Sequence, residues 1–189
     1  MIIRESGMPA QAYWETLFDV PSILDAFGFD ATTGDVAELG CGYGTFSLPL
    51  ARRIRGTLHT LDLDPAMVAT TTARAATAGL TNLRATVRDV HRDGFGLPPA
   101  SCDAVLLFNI LHAEDPVDLL QFARAIVRPG GLVAVIHWRS DLPTPRGPSL
   151  AIRPTPAQIL TWAATADLTP PPSPLALPPW HYGVALHRP

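Results

Sequence analysis

The sequence predicts a doubly wound α/β fold built around a mostly parallel sheet, and three observations support this prediction. Short runs of aliphatic residues alternate at least four times with segments of helical periodicity. A glycine-rich turn directly follows the first of these runs, at residues 40–44. Two later runs are continuously apolar, as expected for strands that are covered on both faces. Alternation of this kind builds a parallel sheet with helices on both sides.

The predicted strands and helices alternate along the chain. Two short helices, divided at Pro21, are expected within residues 11–27. The main strands are predicted at residues 36–39, 57–61, 83–87, 103–108 and 132–138. Helices are predicted between them at residues 45–54, 65–79 and 116–127. A proline-rich loop at 142–154, a helix at 155–167 and two candidate strands at 175–177 and 182–187 follow.

Composition and charge exclude several classes of protein. The chain has 189 residues, of which 47% are hydrophobic and 16% charged, so we expect a folded chain with a sizeable core. The net charge of −3 provides no basic surface for nucleic acid. No apolar stretch is long enough to cross a membrane, and residues 1–9 lack a signal-peptide core, so we expect a cytoplasmic protein. Cys41 and Cys102 lie outside any metal-ligand spacing, and no metal is predicted.

The glycine-rich turn is the first candidate binding element. It places Gly40, Gly42 and Gly44 two, four and six residues after Glu38, between a predicted strand and a predicted helix. Glycines let the backbone turn tightly and approach a ligand with no Cβ in the way. A tight turn that binds nothing is the alternative.

Two acids follow the next predicted strands. Asp62 lies 22 residues after Gly40, a separation at which a carboxylate accepts hydrogen bonds from the ribose hydroxyls of a nucleoside. Asp62 could instead cap the next helix, although Asp64 suits that role better. Asp89 follows the third strand and is placed to bond a purine edge, with Val90 packing on the ring. A solvated loop acid is the alternative for Asp89.

This pattern resembles that of the class I S-adenosylmethionine-dependent methyltransferases. The resemblance rests on five motifs in order, at residues 36–44, 61–67, 88–90, 101–107 and 127–132. It implies a Rossmann-like, seven-stranded sheet with a C-terminal antiparallel hairpin near residues 180–187. It also implies that Glu38 and Gly40 line the methionine end of the cofactor, Asp62 the ribose and Asp89 the adenine.

The resemblance implies S-adenosyl-L-methionine as the cofactor and methyl transfer to a small molecule as the reaction. The predicted cofactor-binding residues are Tyr13, Glu38, Gly40, Gly42, Gly44, Asp62, Leu63, Asp89, Val90 and Asn109. Tyr13 and Trp14 belong to a segment that often closes over the cofactor in this family, where aromatic rings suit a sulfonium; packing on the core is the alternative. One domain, residues 1–189, is expected, with a helical cap (1–35), a cofactor-binding core (36–138) and an acceptor-side segment (139–189).

Two other functions stay open from the sequence. An NAD(P)-dependent oxidoreductase would share the architecture, but its Gly-x-Gly-x-x-Gly pattern is absent because Thr45 stands where the third glycine belongs. Glu38 would also repel a pyrophosphate and attract a cationic sulfonium. A protein that binds S-adenosylmethionine without catalysis is the second alternative.

The acceptor is expected beyond the fourth and fifth strands. His112 and His137 are the candidate bases there, because histidine titrates near neutral pH; simple packing is the alternative for both. Three arginines, at positions 139, 146 and 153, flank the proline-rich loop and could bind an anionic acceptor or face solvent. Residues 108–111 lack the Asn-Pro-Pro-aromatic pattern of enzymes that methylate nucleic-acid bases. We therefore predict a small acceptor, without nucleic acid or membrane as a partner; the sequence does not determine the oligomeric state.

Overall fold

The computed structural model describes residues 7–189, so the first six residues of the predicted cap lie outside the described residues. In this part of the chain, one sheet has seven strands in the order β3-β2-β1-β4-β5-β7-β6. The strands are β1 (Val36–Leu39), β2 (Leu58–Asp62), β3 (Leu83–Val87), β4 (Cys102–Phe108), β5 (Val127–Trp138), β6 (Leu175–Leu177) and β7 (His181–His187). Strands β1 to β5 pair in parallel, whereas β7 is antiparallel to both β5 and β6. The predicted fold class is confirmed, including the C-terminal hairpin.

Helices cover the sheet. They are α1 (Gln11–Glu15), α2 (Val20–Ala26), α3 (Ser47–Arg53), α4 (Pro65–Thr77), α5 (Val90–Asp93), α6 (Pro116–Ile126) and α7 (Pro156–Thr165), with a 3₁₀ turn at Leu150–Ile152. Helix α4 begins as predicted, because the Asp64 side chain accepts the backbone N–H of Ala66 at 2.8 Å and Pro65 occupies the first turn. No helix within residues 7–189 has the length and apolar character needed to cross a membrane.

The central strands are apolar on both faces because each face packs against its own layer of helices. Along β4, Val105 and Leu107 belong to one buried cluster, together with residues of α6 and α7. Ala104 and Leu106 belong to a second cluster, on the opposite face, with residues of α2 and α3. This alternation with a period of two explains why the strand appears in the sequence as an uninterrupted apolar run.

Most predicted element boundaries agree with the structure to within two residues, and the main differences concern α3, α5 and β5. Helix α3 begins at Ser47 rather than at Thr45, and the short helix α5 was not predicted. Strand β5 begins at Val127, directly after α6. Its pairing with β4 jumps from Val127 to Leu132, so the Pro-Gly-Gly segment at residues 129–131, which lies between the predicted helix and the predicted strand, bulges within the strand.

The sheet order reverses between β1 and β4. Strand β1 pairs with β2 on one side and with β4 on the other. Strands β2 and β3 therefore extend the sheet from β1 toward one edge, and the later strands extend it toward the other edge. In open parallel sheets, ligands bind outside the carboxyl ends of the strands at such a switch point. The fold therefore directs attention to the loops that follow β1, β2, β4 and β5.

Candidate functional site

A cavity of about 520 Å³ lies at the carboxyl ends of these strands. Its volume is in the range of small-molecule sites, which are about 300–1,000 Å³. Most of the predicted site residues contribute to its wall: Glu38, Gly40, Gly42, Asp62, Leu63, Asn109 and His112. The structure thus brings together, from the ends of three strands, residues that are up to 74 positions apart in the sequence.

Glu38 is the buried acid of the cavity, with 2% of its surface exposed. The hydroxyls of Ser47 and Thr60 both donate hydrogen bonds to its Oε2 atom, the latter at 2.8 Å. Burial raises the pKa of the Glu38 carboxyl to about 7, although these two hydrogen bonds oppose the rise. A cationic ligand beside this carboxyl would favour its ionised form, so the position suits a positively charged group.

The glycine turn and Asp62 form one hydrogen-bonded unit. The backbone N–H of Gly42 donates to Oδ2 of Asp62 at 2.9 Å, and the N–H of Asp64 donates to Oδ1 at 3.0 Å. Gly40 has a φ of +85° and Gly42 a φ of +50°, in the left-handed region that favours glycine. A Cβ at Gly40 would lie 2.9 Å from Ile110, another residue of the cavity wall. The turn is therefore shaped to leave its backbone open to a ligand.

Four of the predicted cofactor-binding residues lie outside the wall of this cavity. Gly44 packs against α3 and α4, where an added Cβ would lie 2.4 Å from Leu48. The Asp89 carboxylate accepts the backbone N–H groups that begin α5, and Val90 is 1% exposed in the core. Tyr13 is 44% exposed beside the cavity, whereas its neighbour Trp14 contributes to the wall. Their predicted roles toward a cofactor stay predictions.

Two buried oxygen atoms of the wall have unmet hydrogen-bonding capacity. No residue in the described part of the chain donates to Oδ1 of Asn109 or bonds Oγ1 of Thr45. Asn109 also has a φ of +57°, a strained conformation that is enriched at ligand sites. Buried polar atoms are normally hydrogen-bonded, so these two are suited to a polar ligand. Together with the Glu38 and Asp62 carboxylates, they fit a compound that has an amino group and a ribose.

The two predicted bases contact each other. Nδ1 of His112 lies 3.3 Å from Nε2 of His137, and Nδ1 of His137 lies 3.4 Å from the backbone oxygen of Trp138. Only His112 lines the cavity, because His137 is fully buried behind it. Burial, and secondarily the neighbouring His112, lowers the pKa of His137 to about 3. His137 is thus a neutral partner, and His112 is the histidine that faces a ligand.

Sequence reasoning missed the hydroxyls around Glu38 and part of the acceptor side. Thr60 is paired with Glu38 in the register of β1 and β2, and its position in a predicted strand next to that of Glu38 could have indicated it. Ser47, on α3, gives no comparable signal. Two aromatic side chains of the wall, Phe46 and Phe108, were also missed, whereas Trp14 had been considered as a residue that closes over the cofactor. Within residues 7–189 no group of three or more His, Cys, Asp or Glu side chains is arranged to hold a metal ion.

Comparison with known proteins identifies relatives of this site. Residues 36–131 match the model of a family described as a methyltransferase domain. Over 109 residues the chain is 30% identical to the aklanonic acid methyltransferase DauC of Streptomyces sp. (strain C5), an alignment that covers 56% of this chain and 49% of DauC. The chain therefore spans about half the length of this curated relative.

Solved structures share the fold. A S-adenosylmethionine-dependent methyltransferase from Aquifex aeolicus superposes with a TM-score of 0.82 at 19% identity, covering 93% of this chain and 92% of that one. The [4+2]-cyclase SpnF superposes with a TM-score of 0.77 at 14% identity, covering 98% of this chain and 85% of SpnF. At such low identity these likenesses concern the fold alone. The same architecture thus occurs in proteins named for different reactions.

Proposed function

Because the chain belongs to the methyltransferase-domain family, that of the class I S-adenosylmethionine-dependent enzymes, we propose that it methylates a small-molecule acceptor. The observation that carries this proposal is the unit formed by Glu38, the glycine turn and Asp62 around one cavity. A small acceptor is supported by the Streptomyces relative, which is named for aklanonic acid. The cofactor supplies an electrophilic methyl group when it is bound.

The residues of the wall divide the binding of the cofactor between them. The ionised Glu38 and the open acceptor Oδ1 of Asn109 suit its amino group and positive charge. Asp62, already oriented by two backbone N–H groups, suits the ribose hydroxyls. Asp89 and Val90, which follow β3 at the same edge of the sheet, remain our candidates for the adenine.

The proposed chemistry relies mainly on alignment of the acceptor with the methyl group, and His112 serves as base where the acceptor must lose a proton. If His137 donates its Nδ1–H to the Trp138 carbonyl, its Nε2 accepts from Nδ1–H of His112. Nε2 of His112 is then the nitrogen with the basic lone pair. In this proposal His137 is a positioning residue, because it acts through His112.

The two alternative functions have less support. An NAD(P)-dependent oxidoreductase would place a pyrophosphate beside the glycine turn, where Glu38 and Asp62 form an acidic wall. A protein that only binds the cofactor would retain the same wall but show no turnover. The proposal keeps a cytoplasmic location, a single domain and an acceptor that is not a nucleic acid, in line with the weakly acidic charge balance.

Calorimetric titration with S-adenosylhomocysteine, S-adenosylmethionine and NAD tests the proposal directly. We expect the first two to bind and NAD not to bind. Incubation with methyl-labelled S-adenosylmethionine and a panel of small acceptors then separates an enzyme from a silent binding protein, since only the enzyme transfers label. Binding of NAD without binding of the other two compounds would overturn the proposal.

A further inference from the structure

The cavity is electrostatically divided. Its acids, Glu38, Asp62 and Asp64, all belong to the half built by β1 and β2. The half that follows β4 and β5 has no acid within the described residues, and it has one guanidinium, that of Arg146. The sequence contains no lysine, so every Lys or Arg side chain of this protein is an arginine. Arg146 is thus the one Arg or Lys in the described wall.

Arg146 has no counter-ion among residues 7–189. Six described arginines, at positions 53, 74, 92, 124, 128 and 139, each pair with a carboxylate, whereas Arg146 is among those that do not. The Arg146 guanidinium instead donates from Nη2 to the backbone oxygen of Gly7 at 2.6 Å, which leaves its charge unneutralised in the described structure. An arginine without a carboxylate partner in a cavity wall is suited to an anionic ligand, since its fork of donors matches carboxylate geometry.

The loop that presents Arg146 is held in place by a second arginine. Arg153 is 7% exposed and donates to the backbone oxygens of Pro148 at 2.7 Å, Arg139 at 2.9 Å and Arg146 at 3.3 Å. One buried side chain thereby ties the end of β5 to two points of the loop. Each of these hydrogen bonds goes to a backbone carbonyl, so Arg153 positions the loop and does not bind a ligand.

The rest of this half of the cavity is aromatic and apolar. Phe108 and Trp138 end β4 and β5, and Trp14 packs edge-on against Trp138 with ring centroids 6.2 Å apart. Gly147, beside Arg146, lies directly on the Trp138 ring, where an added Cβ would approach to 2.7 Å. Flat apolar ligands pack well on such walls.

We propose that the acceptor is a largely apolar, flat molecule that carries a negative charge, and that Arg146 binds this charge. The inference rests on the proposed function, since it assigns to the acceptor the aromatic part of the cavity and Arg146, to which the proposed function gives no role toward the cofactor. It makes Arg146 the specificity-determining residue of the site. Arg153 keeps Arg146 at the wall by fixing the backbone on both of its sides.

The test uses two probes of equal shape and different charge, 2-naphthoate and 2-naphthamide, titrated into protein saturated with S-adenosylhomocysteine. We expect wild type to bind the naphthoate about tenfold or more tightly than the amide, the usual effect of one charge-assisted hydrogen bond. Arg146→Gln should remove this preference by weakening the naphthoate alone. Arg139→Gln is the matched control, because Arg139 is paired with Asp141 outside the cavity and should retain the preference.

A second variant distinguishes positioning from mere stability. Arg153→Lys retains a buried charge but cannot hold three carbonyls in a planar fork, so it should reduce the ratio of naphthoate to naphthamide affinity. A general loss of stability would not change this ratio in the folded, S-adenosylhomocysteine-loaded fraction. Equal affinities of wild type for both probes, an Arg146→Gln variant that keeps the preference, or no binding of either probe would overturn the inference. Failure of S-adenosylhomocysteine itself to bind would overturn the proposed function, and this inference with it.

Discussion

The backbone N–H of Gly42 donates a 2.9 Å hydrogen bond to the carboxylate of Asp62, across twenty residues of sequence. This bond joins the turn after β1 to the end of β2, so the glycine motif and the acid are one structural unit. It orients the Asp62 carboxylate with the help of a second backbone N–H, from Asp64. The position of the candidate ribose ligand is thereby set by the turn that precedes it.

Replacement of Asp62 should weaken cofactor binding strongly. Asp62→Ala removes a charged acceptor, whose hydrogen bonds are worth about 1.5–3 kcal/mol, so the affinity for S-adenosylhomocysteine should fall about 10–100-fold. Calorimetry measures this change, and Asp141→Asn, on the surface pair with Arg139, is the control. An affinity like that of wild type would remove Asp62 from the site.

The two glycines at the ends of the turn should behave differently when changed to alanine. Both have a positive φ, +85° for Gly40 and +76° for Gly44, which costs an alanine about 1–2 kcal/mol. Gly40 lines the cavity, whereas a Cβ on Gly44 would press on Leu48. We expect both variants to unfold at lower temperature, but only Gly40→Ala to lower the affinity for S-adenosylhomocysteine in its folded state. Equal loss of affinity in both variants would contradict this division.

Glu38 should make the ligand-free protein less stable as the pH rises. Its pKa is about 7 in the folded protein and 4.5 ordinarily, so the folded state binds the extra proton between these values. Stability therefore falls from pH 4.5 to about 7 and is level above that range, with a total change of about 3 kcal/mol. The free energy of unfolding of Glu38→Gln, measured with urea, should not show this fall. It should therefore increase relative to that of wild type as the pH rises from 4.5 to about 7. Parallel pH profiles for the two proteins would refute the assignment.

His137 should produce the opposite trend at lower pH. Burial lowers the pKa of His137 to about 3 in the folded protein, so its imidazole is neutral above that pH. In the unfolded chain the same imidazole has its ordinary pKa of 6.5 and binds a proton below that pH. The contribution of His137 to stability is thus complete above pH 6.5 and is lost as the pH falls toward 3, with a slope of up to about 1.4 kcal/mol per pH unit. His137→Gln should reduce this slope by up to about 1.4 kcal/mol per pH unit, the value that corresponds to one bound proton. His187→Gln, at the exposed end of β7, is the matched control for the replacement of a histidine outside the core.

His112 should affect turnover more than cofactor binding. With an acceptor that must lose a proton, His112→Gln should lower kcat by about 10²–10⁴-fold, the usual contribution of a general base. The affinity for S-adenosylhomocysteine should change little, because His112 is not among the residues that we assign to the cofactor. Steady-state kinetics with calorimetry separate the two effects. An unchanged kcat would exclude His112 as the base.

The sequence alone determined the order and type of nearly all elements, the parallel sheet, the glycine turn and the acids that follow the strands. These features depend on local signals: hydrophobic periodicity, first-turn prolines and helix caps act within a few residues. The strand-end rule then predicted which loops meet at one edge of the sheet. Seven of the predicted site residues accordingly contribute to the cavity wall.

Only the tertiary structure decided which neighbouring side chain faces the cavity. Tyr13 and Trp14 are adjacent on α1 and point about 100° apart, so the helix packing alone selects Trp14. The fold likewise places His112 at the cavity and His137 behind it, although both lie near the carboxyl ends of central strands. It also brings Ser47 and Thr60 to Glu38, and Arg153 to the loop of Arg146. Such contacts join distant segments, and no local pattern of residues specifies the packing that creates them.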